Sequence, residues 1–248
     1  MIKYHIGGDF YRDKDGVICY GARTYVERLQ ENFKVMFPGE DLKGYKTPLE
    51  PNDHPELDLT PELDAIGIAK YQSLIGAMQW SVSLCRYDIH CAVMTMGRFR
   101  AAPRVGHLER LKRIAGYLVR FKDAAIRFRL DKPDYSKLKK VDLDWTYSVY
   151  GNLNEEIPKD IPEPRGETVV LTCYVDANLL HDFTTGRSAT GILHIINSTP
   201  IDWYSKQQNT VETATYGSEF VAARIATEQI MDIRLTLRYM GIPIDDKT

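Results

Sequence analysis

The sequence predicts an α+β chain: a hairpin and three helices first, then a three-stranded antiparallel meander and one long helix. Three observations predict it. Asp15-Gly16 lies between two apolar runs, a strong hairpin cue. Leu108, Leu111, Ile114, Ala115 and Leu118 recur at helical spacing and form one stripe. From Glu167 onward, three β-rich runs with short joints are followed by a long helical pattern.

Composition bounds the reading. A length of 248 residues suits one large domain or two small ones. With 44% hydrophobic and 27% charged residues, the chain has enough apolar material for a core. A formal net charge of -2 argues against a wholly basic nucleic-acid binder, so charge is read segment by segment. Cys19, Cys85, Cys91 and Cys173 form no C-x-x-C pair and suit neither a zinc site nor a disulfide framework. Cys85 and Cys91 fall in an apolar helical run and are expected to be small core residues. No apolar stretch reaches the roughly 20 residues that span a bilayer, and no signal peptide is visible. The expectation is a reducing intracellular compartment and no membrane partner.

The elements follow in order. Met1–Phe10 reads as a strand, Arg12–Gly16 as a turn and Val17–Tyr20 as a second strand. Nothing precedes this hairpin to cover it, and a lone hairpin is marginal in water, so the chain reads as cut at its start. A helix is expected over Thr24–Asn32, with Tyr25, Val26 and Leu29 on one side. Pro38–Pro61, rich in Pro, Gly and acids, reads as an extended loop. Lys70–Met96 is expected to be one largely buried helix and Val105–Arg120 another. Asp131–Gly166 has mixed charge and no clear period. It reads as a domain connection, with a loose strand pair around Val141–Tyr150. Strands are expected at Thr168–Ala177, Ser188–Asn197 and Pro200–Lys206, and a helix at Ser218–Met240, stopped by Gly241.

One helix face is basic. Between Arg98 and Arg129 there are ten Lys or Arg against only Glu109 and Asp123. Arg110, Arg113, Tyr117 and Arg120 share the face opposite the apolar stripe. A charge run is often just a solvated face. The functional alternative is a phosphate-tracking surface, with Tyr117 placed to stack on sugar or base.

The chemistry would rest on two acids. Glu219 precedes Ala223, Ala226, Ile230, Ile233 and Leu237 at helical spacing, which puts it at the head of the expected buried stripe. A carboxylate facing a sheet needs a partner, because a buried unpaired charge is costly. Asp176 ends the first expected strand and is the candidate neighbour. Two such acids repel unless a cation lies between them, and hard carboxylate oxygens suit Mg²⁺ or Mn²⁺. The plain alternatives stay open: Asp176 as a strand end, and Glu219 as a helix-terminus acid.

Four segments occur in fixed order: Tyr174-Val175-Asp176-Ala177, Thr185 to Gly191, Trp203 to Gln208, and Thr213 to Ala222. This series resembles the RNase H domain of copia-type retroelements. Tyr4 to Asp9, Tyr71 to Gly76, Arg86 to Ile89 and His107 to Leu118 resemble the same family's reverse transcriptase tail. The resemblance covers about residues 2–130 and 167–248. It implies a reverse transcriptase palm-end, thumb and connection region over 1–130, a linker over 131–166 and a truncated RNase H-like fold over 167–248. In that family four carboxylates hold two divalent metals that activate water and stabilise the leaving oxygen. By match, Asp176 and Glu219 are two of the four. The others would lie beyond Thr248, Asp245 and Asp246 are poor substitutes, and Asn178 stands where the family often has a second Asp. The polymerase's Tyr-x-Asp-Asp hairpin is also absent.

The implied partners are an RNA–DNA hybrid or primer–template and the remainder of the Pol polyprotein, in cytoplasmic retroelement particles and the nucleus. Arg98, Arg100, Arg110, Arg113, Tyr117, Arg120, Arg187 and Lys206 are the candidate nucleic-acid contacts. The chain alone is expected to lack both activities. Competing expectations are a non-catalytic nucleic-acid-binding remnant and a purely structural piece with an open sheet edge.

Overall fold

The computed structural model describes residues 3–137, 144, 146–149, 151, 155–245 and 248. The first sheet has the order β1-β2-β3-β4, all antiparallel, from β1 (Tyr4–His5), β2 (Gly8–Arg12), β3 (Ile18–Gly21) and β4 (Ala125–Arg127). The single strand expected at Met1–Phe10 is instead a small hairpin. Ile6 and Gly7 have φ of 49° and 97°, the two left-handed positions of a tight two-residue turn. The next turn is held by Asp13, whose Oδ1 accepts from the Asp15 and Val17 amides. β4 was not visible in the sequence, being three residues long. It returns from over 100 positions away and pairs Ile126 with Tyr20. It gives the hairpin the neighbour that local sequence lacked.

Helix α1 (Arg23–Met36) runs a turn beyond expectation because Phe33 adds to the buried Val26 and Leu29. The expected long helix over Lys70–Met96 is two, α2 (Ala65–Ser83) and α3 (His90–Gly97), joined through a 3-10 turn at Tyr87–Ile89. Backbone and charge explain the break. Cys85 has φ of 105°, which no helix tolerates. Arg86 then turns inward, almost fully buried, and donates to both Asp88 carboxylate oxygens and to the Phe121 carbonyl. Cys85 is buried, and burial raises its thiol pKa to about 12. Cys91 is exposed, against expectation. Helix α4 (Val105–Arg120) buries Leu108, Leu111, Ile114, Ala115 and Leu118 as its spacing requires. These pack with α1, α2 and α3 into one apolar core around Phe33, Tyr71, Leu74 and Met78.

The second sheet has the order β5-β6-β7, an antiparallel meander of β5 (Leu171–Asp182), β6 (Arg187–Ile196) and β7 (Thr199–Gln207). Helix α5 (Thr215–Tyr239) packs on it, and Gly241, at φ 70°, ends the helix. β5 runs past Ala177 to Asp182 through an irregularity, with Leu180 at φ 52°. Asp176 is therefore mid-strand. The buried stripe of α5 is Ser218, Ala222, Ala226, Arg234 and Leu237. Ala223 is exposed, and Glu219 flanks the stripe, half-buried, instead of heading it. Ala226 and Leu237 are buried as the spacing requires, but Ser218, Ala222 and Arg234 take the places expected for Glu219, Ala223 and Ile233, because small residues on both sides left the phase ambiguous. Much of the strand pair expected at Val141–Tyr150 lies outside the described residues. No helix is long and apolar enough to cross a membrane, among the described residues.

Candidate nucleic-acid interface

The basic face of α4 is present but covered. The extended loop between α1 and α2 folds along it and supplies the counter-charges. Arg110 donates to both oxygens of Asp53 and, at 2.6 Å, to Asp58. Arg113 pairs with Glu50, donates to Thr47 Oγ1 and stacks over the Tyr45 ring. Arg120 donates to the Gly44 carbonyl. Tyr117 is half-buried between Phe121 and the Arg86 guanidinium. Burial would raise the Asp58 carboxyl. Hydrogen bonds from Thr60 and Arg110 override that and hold it below the usual range. Of the expected phosphate-tracking face, Arg110 and Arg113 thus already have acidic partners from a loop about sixty positions away, while Arg120 is exposed and meets only a backbone carbonyl.

The uncovered cations sit elsewhere. A cleft of about 800 Å³ runs between α2, α3 and the β7 edge, lined by Arg98, Arg100, Lys206, His90, Asp202 and Trp203 among others. Arg100 and Lys206 are exposed and make no ion pair among the described residues. Arg187, at the start of β6, is also exposed and makes no ion pair among the described residues. Arg98 pairs with Asp182, whose side chain is 0% exposed. Burial pushes the Asp182 carboxyl up. Donors from Thr185 and Gln207, the Arg98 charge and the Thr184 amide outweigh it and hold it well below the carboxylate range. That pair ties the β5–β6 turn to the first half of the chain.

His181 ties the same turn. Thr95 Oγ1 donates to the Cys91 carbonyl, so it accepts from His181 Nε2 at 3.0 Å. The Asn178 amide donates to the His181 Nδ1 lone pair at 3.2 Å. The ring is held neutral, and burial and Arg98 lower its pKa. Trp203 adds a third tie, donating its indole N–H to the Val82 carbonyl at 3.1 Å. Beyond a turn-forming Asp182 and a lone Trp, these ties leave no local signal, because they link residues 84 to 121 positions apart.

Asp176 lies in a groove that continues from the cleft and shares His90, Trp203 and Ser205 with it. Register fixes its direction. Asp176 pairs with Gly191, and Gly191 with Ser205, in a row turned toward α3. The alternate row carries Ala177 and Thr190, and it faces α5. Gln208 there bridges Thr190 to the Ser218 carbonyl, while His194 meets Gln229. The Glu219 side chain, on α5, makes no hydrogen bond or ion pair with Asp176 or any other described residue. Among the described residues no group of three or more His, Cys, Asp or Glu could hold a metal ion. The described residues therefore do not bring together the four-carboxylate set that two divalent cations need.

The comparisons with known proteins come from distant relatives. The chain is 23% identical over 222 residues to the retrovirus-related Pol polyprotein from transposon TNT 1-94 of Nicotiana tabacum, covering 88% of this chain and 14% of that protein. It is 22% identical over 232 residues to the transposon Ty5-1 protein of Saccharomyces cerevisiae, covering 92% of this chain and 60% of the relative. It is 25% identical over 168 residues to the secreted RxLR effector protein 161 of Plasmopara viticola, covering 68% of this chain and 92% of the relative. The chain thus spans only a part of the transposon proteins it matches. No family model matches it, and no solved structure matches significantly.

Proposed function

We propose that this chain is a section of a copia-type retrotransposon Pol polyprotein, running from the end of a reverse transcriptase into an RNase H-like unit. Its own contribution is to hold nucleic acid in the cleft between the two halves, without completing a catalytic site. The observation that carries this is the juxtaposition of Arg100 and Lys206 in one cleft, with Asp176 in the groove continuing from it. Free cations at a groove track phosphates, each contact releasing counterions. The transposon relatives and the meander backed by a long helix support the same reading.

The two acids alone are not expected to run two-metal hydrolysis. The test is incubation of the chain with a labelled RNA–DNA hybrid in Mg²⁺ or Mn²⁺. No cleavage above a protein-free control is expected. Strong divalent-dependent cleavage, abolished by Asp176→Asn, would overturn the reading.

A further inference from the structure

We propose that residues 40–50 are a displaceable acidic strap over a second phosphate-backbone site, formed by Lys112, Arg113 and Arg120 on α4. This rests on the nucleic-acid reading above and adds to it a site that the folded chain keeps covered.

The strap, which also carries Lys43 and Lys46, sets two carboxylates and a backbone carbonyl against these cations. Glu40 meets Lys112 Nζ at 2.6 Å, and Glu50 meets Arg113. The Gly44 carbonyl accepts from Arg120 at 3.1 Å. Glu109 of α4 also reaches Lys112, at 2.9 Å. Between these cations lies Gly116. A Cβ there would fall 2.0 Å from the Lys43 carbonyl oxygen, so only glycine lets the strap's backbone lie on the helix. The glycine has no helix-forming reason to be there, because α4 continues regularly on both sides of it.

The two ends of the loop are held differently. Asp53 and Asp58, on Arg110, are only 12% and 6% exposed, an anchored end. Glu40 and Glu50 are 50% and 63% exposed, so the acid side of each pair is open to solvent and screening even though Lys112 and Arg113 are 16% and 15% exposed. The outer end can therefore exchange for a phosphate backbone while the inner end stays docked. Three cations and a bare backbone step would then face the strand.

The test is fluorescence anisotropy of labelled single-stranded and hybrid oligonucleotides across a salt series. Gly116→Ala expels the strap without changing any charge, and Glu40→Gln/Glu50→Gln removes its acids at the surface. Both are expected to bind about tenfold tighter at low salt, with a steeper salt dependence, by roughly two to three on the log–log slope. Adding Arg113→Gln/Arg120→Gln to either should return binding to the wild-type level. If Gly116→Ala does not fold, judged by circular dichroism, the Glu40/Glu50 variant decides alone. A folded Glu40/Glu50 variant with no gain overturns the strap but leaves cleft binding standing. A gain for an acidic peptide and none for nucleic acid overturns the assigned ligand.

Discussion

The first half of the chain and the second half are stabilised by different kinds of interaction. Around α4, large apolar side chains interlock: Phe33, Tyr71, Leu74, Met78, Leu111 and Ile114 are all at or near zero exposure. Under α5 small and large apolar residues mix, Ala177, Ala222 and Ala226 with Leu171, Ile192 and Leu237. Polar groups are buried among them: Thr190, His194, Gln208, Ser218 and Arg234. Arg234 and Arg238 converge on Glu155, and their hydrogen bonds hold that carboxyl at about 2. An apolar core resists pH and is sensitive to volume. A polar core is sensitive to the loss of any one partner, because a buried group left unpaired costs more than the bond contributed.

The contrast can be tested from its largest consequence downward. Leu111→Ala, at 0% exposure in the apolar core, should cost about 2–5 kcal/mol by urea unfolding. A loss under 1 kcal/mol would mean the core is looser than its burial implies. Asp182→Asn removes the carboxylate that Arg98, Thr185 and Gln207 share, and should cost about 2–3 kcal/mol. Faster proteolysis within residues 178–187 should accompany it.

Acid should act on the junction through His181. His181 has a folded pKa below its ordinary 6.5, chiefly from burial and Arg98. The unfolded chain therefore takes up a proton before the folded one does. The stabilisation is complete above about 6.5 and is lost as pH falls through that value toward the folded pKa. His90 and His107 are shifted the same way by burial, so His181→Gln should remove part of the decline, not all. The Tm difference between pH 7 and pH 5 for the two proteins measures that part. The smallest effect is expected at Arg224→Gln. Its i,i+4 pair with Glu228 is exposed on both sides and should change stability by less than about 0.5 kcal/mol.

What could be read from the sequence tracks the same divide. The stripe of α4 was legible because five apolar residues repeat at helical spacing against a polar face. The meander was legible because β-branched runs alternate with turn residues. The phase of α5 was not, since Ala222 and Ala223 look alike to any periodicity argument. The break after Ser83 was hidden too: an apolar run does not disclose that Cys85 takes a positive φ so that Arg86 can reach Asp88. Least legible was the fate of the basic face. Arg110 and Arg113 signal charge, but their partners Asp53 and Glu50 are about sixty positions away, where sequence reading has no register to follow. Two of the free cations, Arg100 and Lys206, come from different halves and share a cleft only once the chain is folded.

The most direct measurement is hybrid binding by fluorescence anisotropy against salt, for the wild type and for Arg100→Gln/Lys206→Gln. Salt-sensitive binding is expected of the wild type, weakened about tenfold in the double variant with a slope shallower by about two. Binding that ignores salt, or that survives loss of both cations unchanged, would contradict it.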